Sequence, residues 1–420
     1  MYGLEVHEYG GAAVIVRDGI AYYSDFSNTR LYKVAVKEGS QAEPVTPDNK
    51  VFRFACFDVH PTNPQILVSI LEDHTNNMPS TVVNTLVIID TEKQIVTPLV
   101  SGANFYAFPR FSPDGTKLLW QEWDHPNMPW DISKITVADI SDTLLLSNVT
   151  TIFKVFKDGL NGYPKYDIFT KKTSPIFSSL LKEEFAPAMW KLSFFPLAII
   201  DEEGNFAMFK AFRDGRAVLY QVDIEMGDRK ELESPYVVME SMHTISKSKG
   251  QFVFLGIKAD KSERIILGSA KTDASSFTSI VASTASPSPF DPNLHVGSSI
   301  DGEKPPCVVN VHGGPTGMAY PGLNWAFQYW TSQGFAWLDV NYGGSYGYGK
   351  DYMNCLHHGW GVVDIEDCIT ASQLLSSPPH SLINLKQIII CGRSYGGLTV
   401  LGALCNSSNT SDTESYLRPV

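Results

Sequence analysis

The chain is short of positive charge, of paired cysteines and of long apolar runs. Lys and Arg total 33 against 45 Asp and Glu, a formal net charge of −12, and phosphate backbones and anionic bilayers repel such a surface. Neither a nucleic-acid partner nor a membrane partner is expected. Six cysteines, Cys56, Cys307, Cys355, Cys368, Cys391 and Cys405, are scattered with no CxxC and no Cys/His spacing of a metal site. They read as reduced, mostly buried thiols rather than as a disulfide framework. No run approaches the ~20 apolar residues of a membrane span. The start, Met1 to His7, has neither the basic flank nor the apolar stretch of an export signal, so a cytoplasmic setting is the expectation. Sequons at Asn148, Asn406 and Asn409 matter only on a secretory route and read as chance polar loops.

From Val14 to about Thr272 long amphipathic helices are also lacking. That stretch alternates short β-rich runs with turn signals, which is an all-β pattern. The runs pair as Ile20–Tyr23 with Leu31–Val36, Ile66–Ile70 with Thr85–Ile89, Lys117–Trp123 with Lys134–Ala138, Asn205–Phe212 with Ala217–Val222, and Phe252–Ile257 with Arg264–Ser269. They recur about every 40 to 60 residues, the spacing of four-stranded propeller blades, and five blade-like units are counted. Ser112-Pro113-Asp114-Gly115 is the clearest turn, since Pro presets φ and Asp-Gly closes a tight reversal. A β-sandwich is the competing fold, but 250 or so residues of near-repeats is long for one sandwich. The stretch Ala274 to Asp301, rich in Ser, Pro and Gly, reads as a linker.

After Lys304 the texture changes. Cys307–Val311, Ala336–Val340 and Gln387–Cys391 are apolar runs of buried parallel-strand type, and 324–333 and 363–375 read as helices between them. Such alternation builds a doubly wound α/β unit. The fold expected is a β-propeller over 1–285, of about five to six blades, followed by a partial α/β-hydrolase domain over 286–420 with a disordered tail at 406–420.

Gly392-Arg393-Ser394-Tyr395-Gly396 fits G-x-S-x-G between an apolar strand and the helical stretch Leu398–Leu404. Flanking glycines allow the sharp strand-to-helix turn that lifts a serine hydroxyl above the sheet, which makes Ser394 the candidate nucleophile. His312-Gly313-Gly314-Pro315 follows the strand ending at Val311, where such a fold supplies one oxyanion donor; the residue after the nucleophile supplies the other. The backbone N–H groups of Gly314 and Tyr395 are the candidate oxyanion donors. His312, His357 and His358 all precede the serine and read as structural or surface histidines. Charge runs such as Glu183-Glu184 and Asp201-Glu202-Glu203 read as solvated turns rather than anchors for a substrate amine.

Together these stretches resemble the prolyl oligopeptidase family of serine peptidases, in its acylaminoacyl-peptidase and dipeptidyl-peptidase-like branch. The resemblance is carried by Val6–Gly11, Phe105–Gly115, Trp123–Asp131, Val311–Pro315, Asn341–Gly349, Trp360–Cys368 and Gly392–Gly397. It implies hydrolysis of short peptides through an acyl-enzyme on Ser394, a propeller that excludes folded proteins, no metal or organic cofactor, and association into homo-oligomers.

Three departures from that family are visible. A triad on this fold runs Ser, then Asp or Glu, then His, yet Tyr395 to Val420 contain no histidine, and Asp412 and Glu414 lie in the polar tail. The stretch from Asn148 to about Lys182 reads as a shortened blade, and an early blade has no counterpart. The sequence therefore reads as a truncated version of the enzyme, expected to be inactive and aggregation-prone alone. The alternative is a catalytically inactive remnant that binds peptides or a partner; a general esterase or lipase is a third reading, against which the long propeller speaks.

Overall fold

The computed structural model describes residues 6–155, 164–167, 169–177, 183–185, 192, 195–270, 277–282, 303–407 and 417–419. The chain divides into two compact units, one of residues 1–178 and 189–194 and the other of 179–188 and 195–420.

The first unit holds three four-stranded antiparallel sheets, each a blade, running from Val14–Arg17 to Glu43–Pro44, from Phe52–Val59 to Ile95–Val100, and from Phe105–Phe111 to Leu146–Val155. Within it the first strands of successive blades lie against each other, as they do around a propeller axis. Middle strands are buried on both faces: Ile66–Asp73 is buried at every position but its last. Such sandwiching explains why they read as apolar runs. Two apolar clusters fill the spaces between blades, one around Trp120, Tyr106 and Ile70, the other around Phe54, Phe57 and Leu67.

Turn chemistry in this unit follows the sequence reading. In the Ser112–Gly115 turn the Gly115 N–H donates to Ser112 O at 2.8 Å, with Gly115 at φ +75. Asp114 accepts the Ser112 hydroxyl and both the N–H and the hydroxyl of Thr116, which holds its carboxyl down to about 2.

A recurring irregularity marks the first strands. Cys56, Phe108 and Ser241 adopt φ of +52, +50 and +50, each beside a register shift in its pairing with the second strand. Such β-bulges bend the strand and cost backbone strain at residues other than glycine.

The stretch expected to be a shortened blade forms, where described, a two-stranded hairpin, Pro164–Asp167 with Lys172–Pro175.

The second unit contains two further blades, from Leu197–Ile199 to Arg229–Leu232 and from Val238–Ser246 to Thr278–Ala282. That last strand falls inside the expected linker, whose reading is corrected there: Thr278–Ala282 completes the fifth blade by pairing with Arg264–Ser269. The remainder of the proposed linker lies outside the described residues, apart from Phe277. All five strand pairs anticipated from the sequence are the second and third strands of the five blades.

The same unit carries a parallel sheet in the order Ala336–Val340, Cys307–Val311, Ile388–Gly392, Leu417–Pro419. Four helices accompany it: α1 (Trp325–Ser332), α2 (Lys350–Asn354), α3 (Val363–Ser376) and α4 (Tyr395–Ser407). Asn324 caps α1 by accepting from Ala326 N at 2.9 Å. The core between sheet and helices includes Val309, Ile390, Tyr342, Ile365 and Ala403.

The expected disordered tail is corrected at both ends. Asn406 and Ser407 close α4, and Leu417–Pro419 supplies the edge strand, because the open edge of Ile388–Gly392 offers unpaired backbone groups to an extended segment. Asp412 and Glu414 lie outside the described residues. Among the described residues no helix is long and apolar enough to cross a membrane.

None of the six cysteines is disulfide-bonded. The expectation that they are mostly buried holds for Cys56, Cys307 and Cys368, whereas Cys391 is half-buried and Cys355 and Cys405 are exposed, at the end of α2 and within α4.

Candidate active site

Ser394 stands at the junction of strand Ile388–Gly392 and α4, exposed and at φ +58, in the left-handed region that L residues other than Asn and Asp avoid. The turn closes with Gly396 N donating to Arg393 O and Gly397 N to Ser394 O. Glycines permit it by contact as well as by conformation. A Cβ on Gly396 would lie 2.7 Å from His312 O and closer still to Val311 O, and one on Gly392 would meet Gly396 O at 2.6 Å. The nucleophile turn and the end of the neighbouring strand are thus packed backbone to backbone.

The glycine-rich loop comes equally close. A Cβ on Gly313 would meet Arg393 O at 2.6 Å and Ser394 Cβ at 3.2 Å. Gly314 adopts φ +57, and the loop turns back through Gly317 N donating to Gly314 O. Sequence order alone could not place Gly313 against Ser394; parallel pairing of Cys307–Val311 with Ile388–Gly392, residue 311 opposite residue 392, does so.

His312 is committed elsewhere. Its ring stacks on Tyr342 at 4.3 Å, and its Nε2 is 2.8 Å from Ser345 Oγ. Ser345 Oγ also reaches Tyr342 O at 2.7 Å, and His312 Nδ1 lies 3.2 Å from Gly313 O, so both ring nitrogens are engaged by the two loops. Burial pushes the His312 pKa down. A buried ring engaged at both nitrogens and stacked on Tyr342 braces the loop. His357 and His358 are exposed and pack on each other, rings 4.0 Å apart. Among the described residues no side chain hydrogen-bonds to Ser394 Oγ.

The Tyr395 side chain, which sequence reasoning had considered only for its backbone N–H, and residues it did not single out complete the surroundings. Tyr395 accepts the Gly361 N–H on its phenol oxygen at 3.1 Å and meets Trp360 edge-on. Burial and the Asp364 charge raise the Tyr395 pKa. Asp364, fully buried at the start of α3, accepts from Gly361 N at 2.8 Å and from the Thr399 hydroxyl at 2.5 Å, tying α3 to α4. A carboxylate in the first turn of a helix also suits the helix dipole. Asp367 accepts from Gly343 N at 2.7 Å. These residues lie inside stretches quoted for the family resemblance, which was the available signal.

The solvated reading of Glu183-Glu184 is corrected. The Glu183 side chain is 10% exposed, 3.6 Å from Arg213 Nη1, and accepts from Tyr220 OH at 2.9 Å. Glu184 accepts backbone N–H groups from Gly347 and Gly349, both at 2.8 Å. Tertiary burial of a turn between blades, which no local pattern reveals, makes the difference.

Among the described residues no group of three or more His, Cys, Asp and Glu could hold a metal ion.

A strained, exposed serine at a strand-to-helix turn, a glycine-rich loop laid against it and β-propeller blades ahead of it define a propeller-bearing α/β-hydrolase fold. Residues 321–410 match the profile of the prolyl oligopeptidase family. Dipeptidyl aminopeptidase BIII of Pseudoxanthomonas mexicana is 35% identical over 99 residues, 24% of this chain and 14% of that protein. An acylamino-acid-releasing enzyme of Arabidopsis thaliana is 30% identical over 100 residues, 24% of this chain and 13% of that protein. Among solved structures, a puromycin-hydrolyzing peptidase of Mycobacterium tuberculosis superposes with a TM-score of 0.80 at 26% identity, over 96% of this chain and 68% of its own. A puromycin hydrolase reaches 0.84 at 23% identity, over 99% and 69%. The match spans about a seventh of the length of these curated relatives.

Proposed function

We propose that this protein is a serine peptidase acting on short peptides through an acyl-enzyme on Ser394. The observation that carries the reading is the conformation of Ser394, exposed at φ +58 with Gly313 packed against it. Backbone strain of this kind at a residue other than glycine costs about 1 kcal/mol or more and persists where the surroundings enforce it.

In the proposed chemistry Ser394 Oγ attacks the carbonyl carbon of a peptide bond and its proton passes to a base. The N–H groups of Gly314 and Tyr395 receive the oxyanion of the tetrahedral intermediate, the amine leaves with a proton, and water then releases the acyl group. His312 is not assigned as that base, since its Nε2 is engaged by Ser345 Oγ and its Nδ1 by Gly313 O. The names of the similar proteins, a dipeptidyl aminopeptidase, acylamino-acid-releasing enzymes and puromycin hydrolases, support peptides or aminoacyl amides as the substrate class. The change from antiparallel blades, the last ending at Ala282, to a parallel sheet beginning at Cys307 supports a division into a propeller, 1–285, and a catalytic segment, 286–420. That Cys355 and Cys405 are exposed yet not disulfide-bonded supports a reducing, cytoplasmic setting.

An activated peptide ester tests the reading. Ester and protein are mixed, and acylation is followed by intact mass and peptide mapping. One acyl group per chain, on Ser394 and absent from Ser394→Ala, is expected; a folded chain that stays unmodified would overturn the assignment.

A further inference from the structure

Glu184 is a carboxylate with no cationic partner within ion-pair distance among the described residues, and burial pushes its pKa up. Its backbone is pinned to the fourth blade by a two-way bridge with Phe212, with N–H to O distances of 3.0 and 2.7 Å. Its side chain reaches the glycine-rich loop 343–349, Oε2 accepting from Gly347 N and Oε1 from Gly349 N, each at 2.8 Å. Both partners belong to the second unit. The blade holds the loop at two more points: Gly215 N donates to Gly347 O at 3.0 Å, and Phe212 meets Tyr346 edge-on at 5.3 Å.

Loop 343–349 carries Ser345, which holds His312 at 2.8 Å, and the next residue after His312 is the Gly313 that packs against Arg393 O and Ser394. We propose that Glu184 is a positioning residue of the active site: its carboxylate fixes loop 343–349, and that loop, through Ser345 and His312, fixes the oxyanion loop Gly313–Gly314 against Ser394. The catalytic part of this inference rests on the function proposed above. A carboxylate suits the task because two oxygens can each accept one amide N–H, and bonds to an ionised acceptor are about twice as strong as neutral ones. Two adjacent turns of loop are thereby clamped by a single side chain.

The test compares the wild-type chain with Glu184→Ala and Glu184→Gln by residue-resolved amide exchange and by the rate at which a fluorophosphonate modifies Ser394. In Glu184→Ala the Gly347 and Gly349 amides are expected to exchange about ten-fold faster or more, while strand Ile388–Gly392 keeps its protection and Ser394 reacts several-fold more slowly. Glu184→Gln, which keeps one equivalent oxygen, restores part of both effects, and it is read alone if the alanine variant does not fold. Unchanged exchange at Gly347 and Gly349 would overturn the clamp; faster exchange with unchanged Ser394 reactivity would overturn its link to the oxyanion loop. If wild-type Ser394 does not react at all, the proposed function fails separately, and exchange at Gly313 and Gly314 decides the link: acceleration together with Gly347 and Gly349 supports it, no change refutes it.

Discussion

The blades and the parallel α/β segment treat their polar residues in opposite ways. In the blades, ionisable groups are drawn into the interior. His74 Nε2 lies 2.8 Å from Glu72 with both side chains buried, and Lys210 lies over the Phe212 ring with its pKa lowered to about 8; His7, in the short turn Val6–Glu8 ahead of the first blade, sits edge-on to Phe105 and Trp123 of the third with its pKa lowered to about 4. In the α/β segment the proposed nucleophile Ser394 is exposed, and glycine backbones do the packing around it. Blade stability should therefore respond to pH and to removal of charge, whereas the site should respond to any atom added at its glycines.

The largest effect is expected at Gly396. Replacing it with valine puts side-chain atoms into Val311 O and His312 O, which must force the nucleophile turn away from the oxyanion loop. A loss of about 3 kcal/mol or more is expected in denaturant unfolding; a midpoint within 0.5 kcal/mol of wild type would break the packing half of the comparison.

His7 gives the next effect. Burial lowers its pKa from 6.5 to about 4, so the unfolded chain binds the proton more readily than the folded one. The stabilisation is full above pH 6.5 and is lost as pH falls toward 4, by about 3 kcal/mol. Urea unfolding from pH 7 to pH 4 should show this slope, and His7→Phe should flatten it. An equal slope in the variant would place the acid sensitivity elsewhere.

Lys210 has the same sign of shift, from 10.5 to about 8, so its stability cost is present below pH 8 and disappears as pH rises through 10.5. Lys210→Met should raise stability at pH 7 by about 2 kcal/mol and change little at pH 11. A destabilised variant at pH 7 would show that the buried ammonium has a partner worth more than its desolvation. The smallest effect is at the cap of α1, where Asn324→Ala should cost about 1 kcal/mol in the same assay.

The contrast also explains what was legible in the sequence. Second and third strands of every blade were readable because burial on both faces writes a dense apolar run, as in Ile66–Asp73. First strands were not, because bulges at Cys56, Phe108 and Ser241 break the two-residue period. Fourth strands were missed where they are short or polar, as in Glu43–Pro44 and Arg229–Leu232. At the site, Ser394, Gly314 and Tyr395 were marked by motifs whose glycines have steric reasons that local sequence can express. Glu184 was invisible because its partners are more than 160 residues away, and a pair of adjacent glutamates has the same local signature whether it faces water or two glycine amides.

On the proposed function the turn at Ser394 presents a nucleophile beside oxyanion donors. The most direct test is the rate of modification by a fluorophosphonate probe, with the modified residue identified by mass spectrometry and with Ser394→Ala as the control. Oxyanion donors and binding alone retain about 10³- to 10⁴-fold acceleration over water in triad enzymes that have lost a member. Selective modification is therefore expected at Ser394, well above every other serine and absent from the alanine variant. A folded chain in which Ser394 reacts no faster than its other serines would contradict it.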